Sequence, residues 1–157
     1  MDLNSDTIKM LFGLFGGLVI FIYGMNLMGE GLQKAAGDKM RRILEVLTSN
    51  PLIGVFVGTL VTAIIQSSSA TTVMVVGFVS AGLMNLHQAI GVIMGVNIGT
   101  TITAQLVAFD IGDYAYPIAV IGFIFFFLSK RRLIKYIGQT VFAFGLLFIG
   151  LNVMSDS

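Results

Sequence analysis

The sequence predicts an all-α integral membrane fold of transmembrane helices, a re-entrant helical hairpin and a broken helix. Three observations point there. Hydrophobic residues make up 56% of the chain and charged residues only 11%, whereas a soluble domain carries about a quarter charged residues. Between Glu45 and Asp110 there is no Asp, Glu, Lys or Arg, a run far longer than the roughly 20 residues that cross a bilayer once. The longest apolar runs are interrupted near their centres by polar residues and glycine. A very apolar soluble core would leave too little polar surface to cover it.

The elements follow in order within one membrane domain, residues 1–157. Residues 10–29 form a first transmembrane helix, longer than a signal-peptide core and without a clear small-residue cleavage site. Over residues 30–49, Leu32, Ala36, Met40, Ile43, Leu44 and Leu47 recur at helical spacing. Glu30 with Lys34 and Asp38 with Arg42 lie four apart on the other side, pairs that support a helix. This segment is expected to lie at the membrane interface as an amphipathic helix, with an ordinary solvated connector as the other reading. Asn50 and Pro51 end it, because proline disfavours helical geometry in the residue before it.

Residues 51–83 are too long for one comfortable crossing and too short for two, and residues 66–72 break them centrally. That pattern predicts a hairpin of two half-length helices that enter and leave on one side. Residues 88–109 are expected to cross as a helix broken at Asn97 and around Gly99. Residues 114–129 cross back and residues 136–154 make the last crossing. His87 and Asn85 fall in the turn after the hairpin, and Asp110 and Asp113 in a solvated outer loop.

Charge supports this topology. With residues 51–83 re-entrant, Lys34, Lys39, Arg41, Arg42, Lys130, Arg131, Arg132 and Lys135 all fall on one side, and only Lys9 on the other. The positive-inside rule then expects cytoplasmic Lys/Arg-rich loops in a plasma (inner) membrane protein, with both termini outside.

A shift of 126 residues places Ile8 and Lys9 on Ile134 and Lys135 without a gap. Gly24, Met25, Asn26, Leu27 and Met28 then fall on Gly150, Leu151, Asn152, Val153 and Met154, and Glu30 falls on Asp156. Chance similarity of two apolar helices is one explanation. The other is that the last helix opens a second repeat, inverted because three crossings, an odd number, lie between the start of the first copy and the start of the second.

Gly54, Gly58, Thr62 and Gln66 lie four apart on one helical stripe, and Gly91, Gly95 and Gly99 form another. Small residues at this spacing let membrane helices approach closely, so the glycines read as packing seams that bring Gln66 and Asn97 together. The interruptions themselves differ in kind. Gln66, Ser67, Ser68, Ser69, Thr71 and Thr72 set six polar side chains around one alanine, and Asn97, Thr100 and Thr101 make a second polar group. Such residues can act as helix-packing glue. At a break, however, half-helix N-termini attract anions, while hydroxyls and freed carbonyls suit a small hard cation.

Other chemistry is poorly served. One histidine, no cysteine and no carboxylate in the central run leave no acid–base pair or nucleophile–base couple, so no enzyme is expected. No organic cofactor is implied, and neutral oxygens favour weak monovalent binding over a tightly held divalent metal. A net charge of +1 gives no basic surface for nucleic acid.

At these two motifs the sequence resembles the type II sodium/phosphate cotransporter family, in which each of two inverted repeats carries a Gln-Ser-Ser-Ser signature followed by an Asn-Ile-Gly-Thr-[Ser/Thr] element. Here they are Gln66-Ser67-Ser68-Ser69 and Asn97-Ile98-Gly99-Thr100-Thr101. Ala70 departs from the hydroxyl present there in many members, and a second signature is absent from the chain. The resemblance implies sodium-coupled transport of inorganic phosphate, with one half-site supplied by this chain. The implied ligands are Gln66, Ser67, Ser68, Ser69, Thr71, Thr72, Asn97, Thr100 and Thr101, with sodium as coupling ion within the same set. It further implies a second repeat, from a longer chain, a partner subunit or a second protomer, in contact with the lipid bilayer. A structural or regulatory membrane subunit without transport of its own is the alternative.

Overall fold

A computed structural model describes residues 3–47, 50–109 and 111–157, all helix, turn and loop with no strand among them. The elements are α1 (Leu3–Leu47), α2 (Pro51–Ile65), α3 (Ser68–Ser80), α4 (Leu86–Ala108), a 3-10 turn (Gly112–Tyr114), α5 (Ala115–Leu128) and α6 (Arg132–Ser155). Residues 48 and 49, at the end of the expected amphipathic helix, and Asp110 lie outside the described residues. Among the described residues, three helices, α1, α4 and α6, are long and apolar enough to cross a membrane. At 1.5 Å per residue, α2 spans about 22 Å and α3 about 20 Å, against a hydrocarbon core of about 30 Å.

The chain divides into two compact units, Met1–Gly31 with Asp110–Ser157, and Leu32–Phe109. α1 supplies residues to both, which corrects the expected boundary at residue 30. The change from apolar to charged residues at Glu30 alters what the helix faces, but no proline lies between Leu3 and Leu47 to interrupt its hydrogen bonds.

In the unit of residues 32–109, the apolar face of the second part of α1 packs on protein rather than standing alone. Met40 and Leu44 join Val57, Val61 and Ile65 of α2, Val75 and Phe78 of α3, Met84, and Ala89, Val92 and Val96 of α4 in one core. Local chemistry sets the helix ends. Asn50 caps α2, its side chain accepting from the Leu52 N–H at 2.9 Å, with Pro51 in the first turn. Gly82, at φ 73°, closes the turn after α3. Asn85 and Gln88 form a capping box at the start of α4, which places His87 in that helix's first turn.

α2 and α4 lie against each other along the two glycine stripes. A Cβ at Gly54 would sit 3.2 Å from the Val92 nitrogen, and one at Gly99 2.6 Å from the Thr59 oxygen. At Gly58, Gly91 and Gly95 it would run into the carbonyls of Val92, Pro51 and Val55. The Thr59 hydroxyl spans the seam, within hydrogen-bond reach of Val55 O at 2.8 Å and Gly95 O at 3.1 Å.

α4 corrects a second expectation. It runs unbroken through residues 97–101. The Thr100 hydroxyl donates to Val96 O at 2.9 Å and that of Thr101 to Ile98 O at 2.7 Å. These polar groups are satisfied on their own helix and do not disrupt it.

In the other unit, α6 packs between the first part of α1 and α5. Gly24 of α1 faces Leu147 and Ala143, and Gly150 of α6 faces Phe21 and Gly17. Buried Gln139 donates from Nε2 to Leu27 O at 3.1 Å. On the side toward α5, Gly138 meets Phe125 and Phe126, Gly145 meets Ala119, and Gly122 of α5 meets Phe142.

Candidate functional site

The polar cluster of residues 66–72 resolves into a helix end, a two-residue break and a helix start. Gln66 has φ 57° and ψ 25°, the left-handed conformation, and no other described non-glycine residue has positive φ. Its N–H bonds Thr62 O at 2.8 Å, an αL cap that stops α2. Side-chain branching at Cβ would oppose this geometry, and glutamine has none.

The carbonyls at the end of α2 are held by amides. The Gln66 side chain donates from Nε2 to Ala63 O. Gln33 of α1 donates from Nε2 to Ile65 O at 3.0 Å. Together with the Gln66 N–H, these bonds occupy three of the four carbonyls that a helix C-terminus leaves open. Sequence reasoning missed Gln33 because its partner lies 32 residues away and helical spacing says nothing about such a contact.

Beyond the break, Ser67 caps α3, its Oγ accepting from the Ala70 N–H at 3.2 Å. Ser67 O accepts from the Thr71 N–H at 3.2 Å and from the Thr71 hydroxyl at 3.0 Å, and Thr71 is fully buried. Ser67 and Thr71 therefore hold the turn together. The hydroxyls of Ser68, Ser69 and Thr72 make no hydrogen bond among the described residues. Ser68 and Thr72 are half-buried and Ser69 is exposed. The Ser68 and Ser69 N–H groups lie in the first turn of α3, where no partner exists within the helix. The positive end of that helix's dipole coincides with them.

The second predicted group sits differently. Asn97, Thr100 and Thr101 are exposed on α4, while Gly99 between them faces α2 at Thr59, Thr62 and Ala63. The seam thus brings residue 99 to within one turn of the break, but the side chains of Asn97, Thr100 and Thr101 make no described bond to residues 66–72. Thr62 is 2% exposed, and its hydroxyl has no hydrogen-bond partner among the described residues. Sequence reading gave it weight only as a small residue on the stripe.

Comparison with known proteins bears out the resemblance read from the two motifs. The Na+/Pi-cotransporter family model matches residues 20–156. The uncharacterized protein YqeW of Bacillus subtilis (strain 168) is 34% identical over 138 residues, 88% of this chain and 45% of the relative. Sodium-dependent phosphate transport protein 2B of Homo sapiens is 39% identical over 103 residues, 64% of this chain and 15% of that protein. Sodium-dependent phosphate transport protein 2A of Rattus norvegicus is 39% identical over 97 residues, 60% of this chain and 15% of that protein. The chain therefore spans less than half the length of these relatives. No solved structure shows a significant match. With a family-model match over residues 20–156, which include the break and the glycine seam, the chain belongs to the Na+/Pi-cotransporter family.

Proposed function

We propose that this chain supplies one half-site of a sodium-coupled transporter of inorganic phosphate, with the break at Gln66 and Ser67 as its centre. The observation that carries the reading is the start of α3. Two first-turn N–H groups and the hydroxyls of Ser68, Ser69 and Thr72 are open there, with no fixed charge between Glu45 and Asp110. Helix N-terminal N–H groups suit a phosphate oxygen. Hydroxyls suit sodium, and the amides of Gln66 and Gln33 keep the α2 carbonyls in place beside them. Bound sodium adds the positive charge that the neutral site lacks, which couples the two ligands. Ser67 and Thr71 shape the turn, and Asn97, Thr100 and Thr101 extend the polar surface on α4.

Two further parts of the reading concern topology. The short lengths of α2 and α3 support a re-entrant hairpin in an inner-membrane protein, with the Lys/Arg-rich loops cytoplasmic and both termini outside. The mutual packing of Gly24 and Gly150, 126 residues apart, supports an inverted second unit that brings the other half-site.

Phosphate uptake into proteoliposomes, with a sodium gradient and with potassium in its place, tests the proposal. Uptake is expected only with sodium, and equal uptake in both removes the coupling. Ser68→Ala is expected to raise the phosphate KM several-fold.

A further inference from the structure

α1 and α6 use the same positions to face each other. Gly24 looks onto Leu147 N and Ala143 O, while Gly150 looks onto Phe21 N and Gly17 O. Subtracting 126 turns each pair into the other. Gly31 meets Thr140, and Gly13, one residue from Thr140's counterpart Leu14, meets Ser157, the counterpart of Gly31. The two helices are thus related by a local two-fold axis across their seam.

The symmetry stops at the next face. On α6, Gly138, Phe142, Gly145 and Asn152 are covered by α5 and the turn before it. Gly138 lies against Phe125 and Phe126, Phe142 against Gly122, and Gly145 against Ala119. Asn152 donates from Nδ2 to Gly112 O at 3.1 Å. The counterparts on α1 are Phe12, Gly16, Val19 and Asn26, and nothing among the described residues covers them. Phe12 is 75% and Val19 67% exposed. A Cβ at Gly16 would meet no atom within 4 Å, and Asn26 is exposed without a hydrogen-bond partner among the described residues.

We propose that this face of α1 is the docking surface for a helix equivalent to α5, supplied by the inverted second unit; the inference rests on the inverted-repeat reading above. Lipid alone fits the face poorly. An amide in an apolar membrane helix gains from a partner, and a glycine notch between bulky residues gives a neighbouring helix a place to insert. The knobs and holes are exchanged relative to α6, where glycine stands at the counterparts of Phe12 and Val19, and phenylalanine at that of Gly16. The incoming helix therefore carries small residues opposite Phe12 and Val19 and a large side chain opposite Gly16. The loop before it presents a backbone carbonyl to Asn26, as Gly112 does to Asn152.

The test places a benzophenone amino acid at position 16, 19 or 26, or at Val120 of α5 as a lipid-facing control, in native membranes, with cross-linked peptides identified by mass spectrometry. Cross-links several-fold above the control, from 16 and 19 to an apolar helix of a unit bearing a second Gln-Ser-Ser-Ser turn and from 26 to the loop before it, are expected. Cross-links only to lipid, or to a second copy of this chain, overturn the proposal. Sodium-dependent uptake in the same membranes separates the two readings. Uptake without these cross-links sinks the docking surface alone, and cross-links without uptake sink the transport reading alone.

Discussion

Gly24 of α1 and Gly150 of α6 each sit where a Cβ would meet the partner helix's backbone. At Gly24 it would lie 2.8 Å from Leu147 N and 3.0 Å from Ala143 O, and at Gly150 2.5 Å from Phe21 N and 2.7 Å from Gly17 O. Such distances leave no room for a methyl group without separating the helices. Membrane helices associate without a hydrophobic drive between them, so close backbone packing carries much of their attraction. Gly24→Val and Gly150→Val are therefore expected to destabilise the protein by similar amounts, about 1–3 kcal/mol each, measured by denaturant titration in detergent. Markedly unequal effects would argue against the mutual packing.

The chain has no cysteine, which makes pairwise cross-linking of the same seam clean. Cysteines at 21 and 147, the two residues whose backbone nitrogens face Gly150 and Gly24, are expected to be joined by a short bifunctional thiol reagent. A pair at 16 and 147 is expected to fail, because Gly16 points into open space.

The left-handed turn at Gln66 separates backbone from side-chain roles. Gln66→Gly accommodates φ 57° and is expected to melt close to the native temperature. Gln66→Val places a β-branched residue there and is expected to lose about 1–2 kcal/mol. Both remove the amide that holds Ala63 O, so both are expected to lower sodium affinity in uptake assays. Unchanged sodium dependence in Gln66→Gly would leave that amide a structural role only.

Ser67 and Ser68 are adjacent but differ in what they hold. Ser67→Ala removes the cap of α3 and is expected to cost about 1 kcal/mol of stability. Ser68→Ala breaks no bond among the described residues and is expected to change stability by under about 0.5 kcal/mol. If the proposed site is right, Ser68→Ala raises the phosphate KM while thermal melting stays put. The reverse pattern would assign Ser68 to the fold.

Gln33 connects α1 to the end of α2. Gln33→Leu leaves Ile65 O without its donor, which is expected to cost about 1–3 kcal/mol. Gln33→Glu has no N–H to offer and is not expected to restore it. Equal stability of all three proteins by thermal melting would show that this bond does not hold the break.

Much of the fold was legible in residue order because its causes are local. Asn50 and Pro51 were legible as a helix boundary, although the cap that Asn50 gives to α2 and the Asn85–Gln88 capping box of α4 came only with the structure. The density of hydroxyls at residues 66–72 marked the break before any contact was known. The two glycine stripes were legible as seams, because spacing alone puts small residues on one face. Composition pointed to apolar helices of membrane-spanning length, and the two polar motifs pointed to the family.

What only the tertiary structure decided is where polarity actually interrupts a helix. Residues 66–72 and 97–101 read alike as breaks, yet only the first is one. At Gln66 the chain enters the left-handed region and Ser67 caps a new helix. At Thr100 and Thr101 the hydroxyls turn back to their own carbonyls, and Gly99 lets α2 press against an unbroken α4. Likewise Glu30 marked a change from apolar to charged sequence in α1 but not an end, because nothing there removes a backbone hydrogen bond. Side-chain chemistry sets what a residue can bond. The partners within reach, fixed by packing, determine which bond forms.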